Sequence, residues 1–147
     1  MNFHLRLASA LPFARHLGPR LDAFVARLTG GRHTLTGLLV GLPVVHLTTT
    51  GARSGQPRTV ILLGIRDGRD IVLIASQFGH SRHPAWLYNL RANPQALLAF
   101  DGQPARPYEA REVQGAERAA LWQKAVDVYP GYDRYAERAA PRKIPVM

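Results

Sequence analysis

Val44-Val45-His46-Leu47-Thr48-Thr49-Thr50, then Gly51-Ala52-Arg53-Ser54-Gly55-Gln56-Pro57-Arg58, then Thr59-Val60-Ile61-Leu62-Leu63 is the stretch that decides the fold. Two runs of β-branched and aliphatic residues flank a loop punctuated by glycine and proline, so the pattern predicts two strands and a connection. Asp67-Gly68 then separates the second run from Ile71-Val72-Leu73-Ile74-Ala75-Ser76. An Asp-Gly pair between apolar runs predicts a hairpin. Further on, Pro84 to Leu90 reads as a short helix that Pro94 ends, and Ala96–Phe100 and Arg106–Val113 read as strands around Asp101-Gly102. Gly115 to Val128 carries Ala119, Trp122, Ala125 and Val126 along one helical face. Short strands at close spacing, a crossover helix and a late helix predict an α+β chain built on a small antiparallel barrel with flanking helices.

The chain has 147 residues, enough for one domain and a short arm. With 46% hydrophobic and 20% charged residues it is globular in composition. Cysteine is absent, which excludes disulfides, thiolate nucleophiles and cysteine-ligated metals. Nineteen Lys+Arg against ten Asp+Glu give a formal charge of +9, and only Lys124 and Lys143 are lysines. The guanidinium fork suits phosphate and carboxylate, so the balance points to an anionic partner. The longest nearly apolar run, Gly37 to Val45, falls far short of the ~20 residues that span a bilayer, and the expected location is cytoplasmic.

Residues 1–33 read as a helical arm, and 34–147 as the barrel domain. In the arm, Leu21, Phe24, Val25 and Leu28 recur at helical spacing between Gly18-Pro19 and Gly30-Gly31. Arg6, Arg15, Arg20, Arg27 and Arg32 stand against a single acid, Asp22. Two readings fit: a helix packed on the barrel, or a basic amphipathic arm making peripheral contact with the inner face of the cell membrane.

Six histidines are present, but none shows the spacing of a metal-ligand pair joined by Glu or Cys, so no metal is expected. The chain lacks Gly-x-Ser-x-Gly, Walker and Gly-x-Gly-x-x-Gly motifs. Two segments look built for an anion. The loop from Gly51 to Arg58 places two guanidiniums and a hydroxyl between glycines, where successive backbone N–H groups can turn toward a phosphate. Ala75-Ser76-Gln77-Phe78-Gly79 leads through His83-Pro84-Ala85-Trp86 into a helix and leaves room for a flat ring beside a helix N-terminus.

Together these segments form a recognisable set. Leu47 to Gly55 with Pro57-Arg58, Ala75-Ser76 with Gly79, His83 to Pro94, and the tail Tyr129-Pro130-Gly131-Tyr132, Tyr135 and Arg142-Lys143-Ile144-Pro145-Val146 closely resemble the deazaflavin-dependent nitroreductase family. The resemblance runs from about Gly41 to the end of the chain. It implies a split β-barrel like that of pyridoxamine-phosphate oxidases, of the FMN-binding type. It implies coenzyme F420, an 8-hydroxy-5-deazaflavin with a phosphate and an oligoglutamate tail, as hydride donor to quinone-like, nitro or activated-alkene acceptors. Carried over by motif, Arg53, Ser54 and Arg58 hold the phosphate end on a loop shaped by Gly55 and Pro57. Ala75, Ser76 and Gln77 flank the ring with Pro84, Trp86 and Asn89. Tyr129, Tyr132 and Tyr135 wall the acceptor pocket, with Ser76 at the reacting end. The three tyrosines, three apart, gather on one side of a helical turn or form a mobile flap beyond the last helix.

The chain departs from the family pattern in places. Ala52 and Gln56 stand where many members carry further basic residues, and Gln77 stands where Lys or Leu is common. The family continues past Ile-Pro-Val into a final strand, whereas this sequence stops at Met147, which leaves a barrel edge unpaired unless a partner covers it. The alternatives are an FMN-dependent reductase, a non-catalytic binder of deazaflavin, haem or lipid, and a nucleic-acid-binding barrel. The last is disfavoured because the aromatics cluster with Gly/Pro motifs rather than alternating along strands. The expected partner is a small-molecule hydride acceptor and not nucleic acid, with the protein a monomer or homodimer.

Overall fold

A computed structural model describes residues 41–100 and 102–147, so the arm expected at 1–33 and its two readings lie outside the described residues. Strand β1 (Val44–Thr50) is the centre of a four-stranded antiparallel sheet. β2 (Pro57–Leu63) pairs with one of its edges and β5 (Gln95–Phe100) with the other; β6 (Arg106–Glu109) lies outside β5. β1 alternates strictly, with Val45, Leu47 and Thr49 buried and the residues between them half-buried. The register sets Leu62, Val60 and Arg58 of β2 and Phe100, Leu98 and Ala96 of β5 opposite those three, so they share the inner face. Pro57 sits at the first position of β2, where a missing N–H costs least.

The Asp67-Gly68 turn forms, but it joins β3 (Ile65–Asp67) to β4 (Asp70–Val72) in a separate two-stranded sheet. The expected long hairpin from Thr59 to Ser76 is broken at Gly64. A side chain there would meet the Val45 side chain, Cγ1 at 2.5 Å, so the chain leaves the large sheet where that side chain packs against its backbone. β6 is also shorter than expected: Ala110 still donates in register to Pro94 O, but Pro94 has no N–H to return, and Val113 donates to Val146 O instead.

After β4 the backbone stays extended, and successive residues serve two different cores. Leu73 and Ala75 join Val45, Leu47, Trp86, Leu87, Leu90, Ala96 and Leu98, while Val72 and Ile74 join Ile65, Val113, Ala125, Tyr132, Tyr135, Ile144 and Val146. The chain's own last residues line this segment. Leu73 and Met147 exchange N–H···O bonds at 3.0 and 2.9 Å, and Ala75 donates to Pro145 O at 3.0 Å. Pro145–Met147 thus pairs with Leu73–Ala75.

Three helices complete the described fold. α1 (Ala85–Ala92) sends Trp86, Leu87, Asn89 and Leu90 inward and reaches β1. α2 (Gly115–Val128) has the boundaries its periodicity predicts. The segment expected as a tail beyond the last helix is itself a helix, α3 (Gly131–Ala139), which buries Tyr132, Tyr135 and Ala139. The observed class is mixed α and β with antiparallel sheets, and no closed barrel forms among the described residues.

Ile144 is 2% exposed and Ile61 is 43% exposed. Ile144→Ala should therefore cost ~2–5 kcal/mol in urea unfolding, with Ile61→Ala well below that. Equal effects would show that the C-terminal segment is not part of the core.

Candidate functional site

The loop between β1 and β2 closes on itself. Gly51 donates to Gln56 O at 2.8 Å and Gly55 to Gly51 O at 2.9 Å. Gly55 takes the left-handed φ of +69°, and a Cβ on Gly51 would lie 2.5 Å from Ser54 Oγ, so both glycines are required. Ala52 N–H donates to Asn89 Oδ1 at 2.9 Å, and Gln56 N–H donates to Ser54 Oγ at 3.1 Å. Four N–H groups of the loop, those of Gly51, Ala52, Gly55 and Gln56, thus have partners within the protein, and those of Arg53 and Ser54 are not among them. The loop also offers side chains. Arg53 is exposed with no partner among the described residues, and Arg58 meets only Ser54 Oγ, at 3.4 Å.

Asn89 is the tie between this loop and the helix. Its Nδ2 donates to the buried Thr49 hydroxyl at 3.0 Å while its Oδ1 accepts from Ala52. Asn89, expected beside a ring, is 8% exposed with both ends of its amide engaged, and it ties α1 to the loop and to β1. Trp86 at 5% and Ala75 at 0% lie within the core around Leu47 and Leu73, and Pro84 is buried as well. These three back the site from beneath. Their side chains leave little surface to flank a ring directly.

Ser76 and Gln77 do reach the surface. From Ser76 the chain enters a 3-10 turn, Gln77–Gly79, in which Gln77 (φ 47°), Phe78 (φ 55°) and Gly79 (φ 80°) are all left-handed. Two consecutive non-glycine residues in that region are strained, and such strain persists only where the surroundings impose it. α3 is one such constraint. A Cβ on Gly79 would sit 2.8 Å from Tyr135 O, and Arg138 donates to Phe78 O at 3.3 Å.

Arg142 is the other, and residue patterns gave it no role. Its Nε donates to His80 O at 2.8 Å and its Nη2 to Ser76 O at 2.7 Å; Nη1 lies 3.2 Å from Ala75 O and 2.9 Å from His83 Nδ1. Arginine has no acceptor, so Nδ1 must carry the lone pair and the His83 ring is neutral while this bond is made. Burial, then the Arg142 and Arg91 charges, hold the His83 pKa below its ordinary value. The only signal in the sequence was that Arg142 lies in a tail segment matching the family.

The tyrosines gather as expected, but not as a loose flap. Tyr129 follows α2, its ring lying over Gly131, and its hydroxyl meets that of Tyr135 at 3.0 Å. The Tyr129 and Tyr132 ring centres are 5.2 Å apart, edge to face, and Trp122 Nε1 donates to Asp133 Oδ1 at 3.0 Å to tie α2 to α3. Burial pushes the Tyr132 and Tyr135 hydroxyls well above the ordinary phenol range, and for Tyr135 the bond to Tyr129 adds to it. The Tyr132 ring is buried, yet its hydroxyl has no partner among the described residues and is not sealed from solvent. A cleft of about 250 Å³ elsewhere, lined by Leu47, Ile71, Leu98, Tyr108 and Met147, holds none of the expected site residues. Asp67, Asp70, Glu109 and Glu117 around it outnumber Arg111, which makes it a poor host for an anion.

Because His83 is held neutral in the fold, the unfolded chain binds the extra proton first. Stability should fall as pH drops below about 6.5, the ordinary histidine value, toward the lowered folded value. The wild-type slope of unfolding free energy against pH between about 7 and 5 should exceed that of His83→Gln. Identical slopes would contradict the Arg142–His83 bond.

Residues 20–147 match the family described as F420H(2)-dependent quinone reductase. The chain is 35% identical over 143 residues to an F420H(2)-dependent quinone reductase of Mycobacterium tuberculosis, covering 90% of this chain and 91% of that protein. Among solved structures it is similar to an F420-H2 dependent reductase at 40% identity, with a TM-score of 0.64 over 71% of this chain and 90% of the other. It is also similar to a chain described as a domain-swapped dimer, at 35% identity and a TM-score of 0.64, covering 91% of this chain and 94% of the other. With its basic loop, strained turn and tyrosine cluster in the order the motifs predict, the chain belongs to the F420H(2)-dependent quinone reductase family.

Proposed function

We propose that this protein is an oxidoreductase that binds reduced coenzyme F420 and passes its hydride to a quinone. The observation that carries the reading is the Gly51–Arg58 loop. Two guanidiniums there have no carboxylate partner among the described residues, and Asn89 ties the loop to the helix that follows the Ser76–His83 segment. Elsewhere in the described chain Arg91, Arg111 and Lys124 are ion-paired with Glu112, Glu117 and Asp67, while Arg66, Arg69, Arg82, Arg106 and Arg134 also lack a carboxylate partner; what marks the loop is two such guanidiniums on one short turn closed by its own hydrogen bonds. Uncompensated charge on a rigid loop fits a phosphate, because binding the anion requires no internal ion pair to break. Membership of the family supports the coenzyme and the quinone.

In this reading Arg53 and Arg58 hold the phosphate by side-chain contacts, with Ser54 orienting Arg58. The Ser76 hydroxyl and the Gln77 amide, neither with a hydrogen-bond partner among the described residues, face the ring. Trp86, Pro84 and Ala75 keep the floor beneath rigid. When bound, reduced coenzyme F420 supplies the hydride. The tyrosine cluster orients the acceptor and excludes water from it. Since burial keeps Tyr132 and Tyr135 protonated, they suit hydrogen bonding to a quinone oxygen; a phenol so weakly acidic is a poor proton donor at neutral pH, and solvent supplies the proton. We propose further that the four-stranded sheet and the β3–β4 hairpin are the two halves of a split barrel. The Leu73–Met147 pairing and the Ile74–Val146 bridge support this, since they seam the two sides of the core.

The test follows oxidation of the reduced coenzyme by a menaquinone analogue, together with fluorescence titration of the oxidised coenzyme. Arg53→Ala and Arg58→Ala should each weaken coenzyme binding by ~1.5–3 kcal/mol, about 10- to 150-fold in Kd. Unchanged affinity in both would place the phosphate elsewhere. Tyr132→Phe should lower kcat with coenzyme affinity intact and leave the shape of the pH–rate profile unaltered. A new or shifted limb in that profile would make Tyr132 a proton donor instead.

A further inference from the structure

Arg142 makes the densest set of polar contacts in the described chain. One guanidinium reaches the carbonyls of Ala75, Ser76 and His80 and the ring nitrogen of His83, so it spans the whole segment that leaves the buried strand. Within that span lie the three left-handed residues Gln77, Phe78 and Gly79. Left-handed backbone at two non-glycine positions does not hold itself. Left to local preferences, Gln77 and Phe78 would relax to ordinary φ values and carry the Ser76–Gly79 surface with them. Arg142 fixes the carbonyls on both sides of the strained residues, and its position is fixed in turn because Ile144 and Val146, just beyond it, are buried in the core.

We propose that Arg142 is a positioning residue of the hydride-transfer site: by bracing both ends of the Ser76–Gly79 turn it sets the surface that receives the coenzyme ring, without touching coenzyme or quinone. The inference rests on the reading of that turn as the ring site. All four of its contacts come from a planar fork whose N–H groups point in fixed directions, so lysine, with the same charge, cannot reproduce them. α3 holds the middle of the turn through Gly79 and Phe78 O, whereas Arg142 holds its two ends; loss of Arg142 frees those ends, and displacements of an ångström in the surface change how the ring is held.

The test compares wild type with Arg142→Ala and Arg142→Lys, using Lys143→Ala to control for loss of a neighbouring charge. In the coenzyme-free proteins, hydrogen–deuterium exchange should accelerate at residues 76–83 in both Arg142 variants while α2 stays protected. Titration with oxidised coenzyme F420 should show binding weakened about 10- to 100-fold in both, with the KM for the quinone within about twofold of wild type. Lys143→Ala should match wild type throughout. If Arg142→Ala does not fold, Arg142→Lys gives the same readings. Exchange that rises uniformly over the chain, with coenzyme affinity of the folded fraction intact, would reduce Arg142 to a stability role and overturn the proposal. A wild-type chain that fails to bind F420 overturns the functional reading, and this inference with it. A wild-type chain that binds it, beside Arg142 variants that bind equally well, overturns this inference alone.

Discussion

The structure depends on one short segment that is buried on both faces. Between Val72 and Ala75 successive side chains point into different cores, so every residue is covered and every backbone group needs a partner. The partner is the C-terminal stretch Pro145–Met147, whose Val146 is buried in the second core together with the adjoining Ile144. Val146 is as fully buried as Val45 and Leu47 of β1.

The placement of the chemistry follows from that segment. Where it emerges at Ser76 the chain turns sharply through left-handed residues, and the same tail that pairs with the strand carries Arg142 to the turn. α3 seals the other side of the turn through Gly79 and brings the tyrosines with it. The basic loop belongs to the first core: it projects from β1, and Asn89, held by the buried Thr49 hydroxyl, fixes its near end. Exposed charge therefore stands on one rigid support and a strained, uncommitted surface on another, an arrangement in which affinity and geometry can be adjusted separately.

Much of this was legible in the sequence, and the exceptions share a cause. The β-branched run Val44–Thr50, the Asp67-Gly68 turn and the helix from Gly115 to Val128 are local signals, and all three formed. Gly64 was invisible because its meaning lies in a contact with Val45, a residue 19 positions earlier (64 minus 45). The helix at Gly131–Ala139 was hidden by a segment rich in tyrosine and arginine whose apolar face is mostly aromatic. Motif matching found Ala75, Trp86 and Asn89 but could not see that they are buried, because burial depends on the packing of distant elements. Arg142 escaped for the same reason in reverse: its partners lie 59 to 67 positions away, and only the fold brings them together.

The most direct measurement of the central claim is a crystal structure of the protein with coenzyme F420 bound. The account predicts the phosphate within hydrogen-bonding distance of the Arg53 and Arg58 guanidiniums and the deazaflavin ring against Ser76–Gly79, with Arg142 still bracing the turn from behind. Coenzyme seated instead in the cleft lined by Leu47, Tyr108 and Met147, with both arginines pointing into solvent, would contradict it.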